Sequence, residues 1–337
     1  MSTTSKPPQP VRRSASIVGT GAYLPSRVLT NAELEKMVDT SNEWIMSRTG
    51  IRERRIAEKD EYTSDMGARA AEQALQLSGI DPKDIDLIIV ATCTPDTIFP
   101  STACHIQHKI GATRAAAFDV GAACSGFLYA LVTAEQFISS GLYQTVMVIG
   151  AEKLSSIVNW QDRNTCVLFG DGAGAVILQH RPGGRGMLAC DLGADGAQTE
   201  ILSVPAGGCR IPLTPEVLDQ RLQYLQMSGK EVFKYAVTAM NRSAENCLEK
   251  AGCKAAHLRW IIPHQANFRI VDAVAQRLNI SLEHFVVNLD LYGNTSAACM
   301  PICIHETNVA GKLQQGDLFL MVAFGGGLTW ASTIWEW

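Results

Sequence analysis

Ala71-Glu72-Gln73-Ala74-Leu75-Gln76-Leu77-Ser78-Gly79, followed by Ile88-Ile89, has a second copy in Ala244-Glu245-Asn246-Cys247-Leu248-Glu249-Lys250-Ala251-Gly252, followed by Ile261-Ile262. Residue 71 maps to 244 and residue 88 to 261, an offset of 173 in both cases. Each copy reads as an amphipathic helix, a glycine stop and a short apolar strand, which is half of an α/β layer unit. The same offset pairs Val146-Met147-Val148-Ile149 with Phe319-Leu320-Met321-Val322, two short apolar runs of the kind that fill a covered sheet. Each half then closes with a glycine-rich turn and one more strand, after Gly170-Asp171-Gly172-Ala173-Gly174 and after Gly325-Gly326-Gly327. The offset changes at this point, so the halves differ in loop length.

The pattern predicts two similar α/β halves, 16–185 and 225–337. A flexible arm is expected over 1–15 and a connecting segment, rich in Gly and Pro, over 186–224. A ligand site is expected where the halves meet.

With 337 residues, 47% hydrophobic and 18% charged, the chain buries a large core. A net charge of -4 is no electrostatic footprint for nucleic acid. No apolar run is long enough to span a membrane and no secretory signal is visible, so neither membrane nor nucleic acid is an expected partner and a cytoplasmic location is. Ten scattered cysteines lack the spacing of a disulfide framework. Cys104, His105 and His108 lack a CxxC partner and read as helix residues after Pro100 and Ser101, so no metal site is expected.

Phe118-Asp119-Val120 ends a strand, Gly121-Ala122-Ala123-Cys124-Ser125-Gly126 is built of small residues, and 127–138 has helical periodicity. Cys124 therefore sits at a strand-to-helix turn, where unpaired N–H groups and the helix dipole favour a thiolate. A buried cysteine in a tight turn is the plainer alternative. The other nine cysteines lack this setting and read as structural.

In Ile261-Ile262-Pro263-His264-Gln265-Ala266-Asn267, His264 comes just past the end of an apolar strand, at the position that Ala91 holds in the first half, and opens a polar cluster of His, Gln and Asn. Buried polar groups there must find partners. Tyr292-Gly293-Asn294-Thr295-Ser296 is a third small-residue turn, in which Asn294 reads either as a helix cap or as part of a site.

Taken together, GAACSGF (121–127), PHQANFRI (263–270), GNTSAA (293–298), FGDGAGAV (169–176) and AFGGGLTW (323–330) resemble the type III ketoacyl synthases of the thiolase superfamily, as does VDTSNEWIMSRTGIRERR (38–55). The resemblance implies a thiolase-like α/β fold of two duplicated halves in five α-β-α-β-α layers. It implies a short acyl group passing from coenzyme A to Cys124, then decarboxylative condensation with malonyl-acyl carrier protein to give a β-ketoacyl-acyl carrier protein at the start of fatty acid synthesis. His264 and Asn294 would complete the catalytic set, and the N–H groups of Cys124 and Gly326 would form the oxyanion hole. Trp44, Arg48, Arg163 and Asn267 would bind coenzyme A. Phe99, Phe169 and Phe324 would shape the acyl pocket, with Phe99 crossing to the partner of a homodimer. Lys234 and Arg269 would dock the carrier protein, and no cofactor beyond the coenzyme A thioester substrate is implied. Cys299-Met300 departs from the more usual Ser and Ile after GNTSAA, and Ser228 from the more usual Asn.

Three other functions suit parts of this pattern: a related condensing enzyme of secondary metabolism, a Cys/His/Asn hydrolase, and a noncatalytic scaffold. The surroundings of Cys124 lack the hydrolase signature, and a scaffold has no need of a positioned thiol.

Overall fold

The computed structural model describes residues 14–183 and 185–337. In chain order the first half contributes β1 (Ala15–Tyr23), the ribbon of β2 (Arg27–Thr30) with β3 (Glu53–Ile56), β4 (Leu87–Ala91), β5 (Ala116–Val120), β6 (Thr145–Glu152) and β7 (Gly172–His180). Then come β8 (Met187–Ala194), the short pair β9 (Leu202–Ser203) and β10 (Gln226–Met227), β11 (Trp260–Pro263), β12 (Leu318–Gly325) and β13 (Thr329–Glu336).

The first sheet has the order β1-β7-β6-β4-β5 and the second β8-β13-β12-β11, so the same strand order occurs twice. The duplication is exact in register as well. Leu87 pairs with Val146 in parallel, and 173 residues later Trp260 pairs with Phe319. The counterpart of β5 is lost: residues Leu289–Tyr292 are helical, and a single bridge from Phe285 to Ile261 stands in for the missing strand.

Alternation along the strands builds the layers. Val146, Val148, Phe319 and Met321 face a central core with the buried helices Gly126–Ser139 and Cys299–Val309 between the sheets. Met147 and Ile149 face outward to Thr63–Ser78, and Leu320 and Val322 to Gly229–Ala251. Both outer helices stop at left-handed glycines, Gly79 and Gly252, as their place before the strands predicts. The result is the expected stack of five layers.

Two expectations on boundaries change. The arm, 1–15, lies outside the described residues as far as residue 13, but Ala15 is already paired with His180 in β1. The connecting segment 186–224 is sheet in part, since Met187–Ala194 pairs along β13 as the edge of the second sheet. Its exposed Leu188 and Leu192 alternate with more buried residues, a two-sided pattern that the density of glycines in the neighbourhood masks.

At the centre, two tight turns meet. Ala123–Ser125 precedes the helix at 126 and Ser296–Ala298 precedes the helix at 299, again 173 residues apart. Ala123 has φ 46° and Ser296 φ 50°, left-handed values that cost a non-glycine residue on the order of 1–3 kcal/mol each. The strain belongs to the duplicated scaffold, since both halves carry it. Each turn is pressed by the opposite half: a Cβ on Gly150 of β6 would lie 2.2 Å from Ala297 O, and one on Gly325 of β12 would lie 2.7 Å from Cys124 N. Gly150→Ala should therefore destabilise the fold by roughly 3 kcal/mol through overpacking against backbone. Denaturant midpoints check this, and an unchanged midpoint would show that the turn gives way freely.

Candidate active site

The two turns place their side chains on one cavity of about 750 Å³ between the halves, bordered by Cys124, His264, Asn294, Phe169, Phe324 and Gly326. Trp44, Arg48, Asn267 and Arg269 border it as well. Part of the remaining wall comes from the stretch between β6 and β7, including Leu154, Ile157, Val167 and Leu168, and a larger part from β9, β10 and the helix Gly229–Ala251, including Leu202, Met227, Phe233 and Met240. In the second half the equivalent connection is only the turn from Gly325 to Thr329, which is where the offset falls from 173 to 157. The difference in loop length thus supplies one side of the cavity.

Cys124 lies just ahead of the helix Gly126–Ser139, as its sequence setting predicts. Its thiol has surroundings that act against the help of a helix start, however. Burial pushes it up to about 12, with the nearby Glu152 carboxylate adding to the rise and a hydrogen bond from Ser296 opposing it. The expected help of the helix start is outweighed by loss of water.

His264 is 3% exposed, and burial pulls its imidazole down to about 4, so it is neutral at ordinary pH. Its Nδ1 is 3.1 Å from Cys299 Sγ. Asn294 Oδ1 accepts the Ser296 N–H at 2.8 Å, which leaves its NH₂ for the cavity. Its backbone is fixed by the bridge to Phe169, with Asn294 N donating to Leu168 O and Gly170 N to Asn294 O. Asn294 is not the helix cap, since Thr295 holds that position for Ser296–Ala298; its Oδ1 instead closes the turn just ahead of it. Gln265, by contrast, is spent on structure: Nε2 donates to Pro263 O and Val286 O, and Oε1 accepts from Asn288 N.

Trp44 carries the guanidinium of Arg163 over its ring at 5.1 Å and that of Arg48 at 5.8 Å, while Arg163 donates to Asp39 O. Asn267 caps the helix Phe268–Leu278 through Arg269 N and donates to Arg48 O, so its amide orders the cavity rim. Phe169 and Phe324 are buried walls, whereas Phe99 is 84% exposed and does not border this cavity. Lys234 is exposed on the outer helix, and Arg269 lies over the Phe233 ring.

Sequence reading missed three contributors. Glu152, fully buried at the end of β6, accepts from Thr94 Oγ1, Cys93 N and Thr92 Oγ1, and burial raises its carboxyl. A lone acid closing an apolar strand, opposite Gly325 in the repeat, was its signal. Thr329 Oγ1 receives the Ser125 hydroxyl at 2.7 Å and lies 3.1 Å from Ala122 O and 3.2 Å from Gly326 O, joining the nucleophile turn to the glycine turn. The third is Cys299, which sequence reading set aside as structural.

The chain matches the family model described as 3-Oxoacyl-[acyl-carrier-protein (ACP)] synthase III over residues 118–196 and that of its C-terminal part over 248–337. It is 51% identical over 324 residues to the beta-ketoacyl-[acyl-carrier-protein] synthase III of Caldanaerobacter subterraneus subsp. tengcongensis, covering 96% of this chain and 98% of that protein. The chain belongs to the 3-oxoacyl-[acyl-carrier-protein] synthase III family. The crystal structure of the synthase III from Aquifex aeolicus superposes with a TM-score of 0.89 at 49% identity, covering 96% of this chain and 100% of that one. A priming β-ketosynthase from the R1128 polyketide pathway superposes equally well at 35% identity, covering 98% of both chains. Members of the family condense an acyl-CoA with malonyl-acyl carrier protein to begin fatty acid synthesis, and this chain is an acyltransferase of that kind. Among the described residues no helix is long and apolar enough to cross a membrane, and no group of His, Cys, Asp and Glu is arranged to hold a metal ion.

With its thiol held up near 12, Cys124 should react with iodoacetamide about tenfold faster per pH unit from roughly pH 8 to 10, the range over which an ordinary thiol ionising near 8.5 gains only about fourfold and reaches its plateau. A plateau already reached at neutral pH would mean a resting thiolate instead.

Proposed function

We propose that Cys124 carries the acyl group between two half-reactions performed in this one cavity. In the first, the Cys124 sulfur attacks the acyl-CoA carbonyl, the acyl–sulfur bond to coenzyme A breaks, and the thiol proton leaves with coenzyme A. The N–H groups of Cys124 and Gly326 hold the oxyanion of this step. In the second, malonyl-acyl carrier protein loses carbon dioxide, and the resulting enolate attacks the acyl-Cys124 carbonyl and expels the thiolate. The β-ketoacyl-acyl carrier protein leaves and the thiolate is reprotonated.

The observation that carries this reading is the pair of neutral donors opposite the thiol. A malonyl thioester oxygen gains negative charge as carbon dioxide departs, and fixed donors in a dry site stabilise it without reorganising. A buried, neutral His264 and the amide NH₂ of Asn294, aligned through Ser296 N, suit that task. They do not suit the hydrolase alternative, which asks its histidine to accept a proton.

Coenzyme A enters along Trp44, Arg48 and Arg163, with Trp44 and Arg163, whose guanidinium lies over the indole, stacking about the adenine. Asn267 shapes the passage beside Arg48. Phe169 and Phe324 wall the acyl pocket. The carrier protein docks on Lys234 and Arg269. No cofactor is needed beyond the coenzyme A substrate, and the enzyme works in the cytoplasm. The two halves, with β8 reassigned to the second, form one catalytic unit.

The enzyme is a homodimer whose Phe99 crosses to the partner. Support comes from Ile98 and Phe99, which are 85% and 84% exposed side by side, a place where an isolated soluble chain rarely puts two large apolar residues. Phe99→Ala should widen the range of accepted acyl lengths toward longer or branched groups. An unchanged acyl-CoA profile would place Phe99 outside the pocket.

His264→Ala or Asn294→Ala should still load an acyl group on Cys124 while carbon dioxide release falls by on the order of 10²–10³ for each lost donor. Mass spectrometry of the Cys124 peptide and capture of carbon dioxide measure the two steps separately. Were His264→Ala unable to load while Asn294→Ala decarboxylated normally, His264 would be the base for the thiol.

A further inference from the structure

Cys299 opens the buried helix Cys299–Val309 at the place where the first half has Gly126, so the nucleophile side has no side chain there. Its Sγ lies 3.1 Å from His264 Nδ1, and the Gln265 backbone N–H is directed at the same sulfur from 3.5 Å. Cys299 is 2% exposed and His264 3%, and among the described residues the sulfur is the hydrogen-bond partner of Nδ1. A sulfur that accepts the Gln265 N–H retains its own S–H to give. An imidazole nitrogen that receives it carries no proton.

We propose that Cys299 is a positioning residue that holds His264 in the tautomer protonated on Nε2, so that the nitrogen left for the cavity is a donor. This rests on the reading of His264 as an enolate donor and explains how that role is secured. A neutral imidazole donates from one nitrogen only. In the opposite tautomer a lone pair would face the oxygen that gains charge. Burial keeps both partners uncharged, lifting the Cys299 thiol well above its ordinary range and drawing His264 down to about 4. The partner of the remote ring nitrogen decides which proton a histidine shows to its substrate.

Nitrogen-15 NMR of the full-length protein, with the His264 signals identified by their loss in His264→Gln, reads the tautomer directly. A pyrrole-type Nε2 and a pyridine-type Nδ1 are expected. A protonated Nδ1, whether alone or together with a protonated Nε2 as in a thiolate–imidazolium pair, would overturn the proposal. Cys299→Ala should mix the tautomers and slow carbon dioxide release by about three- to tenfold, the worth of one neutral hydrogen bond, with acyl loading kept within about twofold. Cys299→Ser, which restores a donor, should recover both the tautomer and the release rate. Equal losses in the Ala and Ser variants, or loading that falls in step with release, would leave Cys299 as packing alone. If instead His264→Ala released carbon dioxide at the parent rate, the donor reading of His264 would fail even with the NMR signature intact.

Discussion

The approach of bare backbone to the two central turns governs this molecule. Gly150 reaches the carbonyl of Ala297, and Gly325 reaches the amides of Cys124 and Ser125, at distances that exclude even a methyl group. Because each glycine lies on the central strand of the opposite half, neither turn can be set without the other sheet. The position of the nucleophile is therefore a property of the whole stack, and the left-handed Ala123 and Ser296 persist because packing from both sides determines them.

Dryness then sorts the chemistry. The same loss of water raises Cys124 and lowers His264, which favours a thiol and a neutral imidazole over an ion pair. Such a site has little charge to screen a reacting oxygen, but its donors are already aimed. The duplicated scaffold gives one turn to the nucleophile and leaves the other, with Ala297 where Cys124 stands, to present Asn294 and Ser296.

Much of this was legible in the sequence because the repeat left its mark at fixed spacing. The offset of 173 carried the helix stops at Gly79 and Gly252, the strands β4 and β11, and the strands β6 and β12. His264 stood out because its mate in the other half is Ala91, Cys124 because its small-residue turn precedes a helix, and Asn294 because it lies in another small-residue turn. β8 was illegible because its half-exposed alternation lies among glycines. Glu152 and Thr329 were missed because their significance depends on what touches them across the halves, which spacing does not report. Phe99 is a residue whose assigned place lies off this chain's cavity. The loss of water that raises the Cys124 thiol was not legible either, because a helix start is visible in sequence and burial is not.

The chain also passes three times through a single point remote from the chemistry. Ser16 Oγ donates to Arg185 O, Glu336 N donates to Gly186 O, and a side chain on Gly186 would run into Ala15 O. The first described strand, the passage between the halves and the last strand are thus stitched together at the strand ends opposite Cys124. Changes in loop length at that pole, and even the order in which the halves are joined, are mechanically insulated from the cavity. Evolution could trim or extend the chain there while the reacting atoms kept their places.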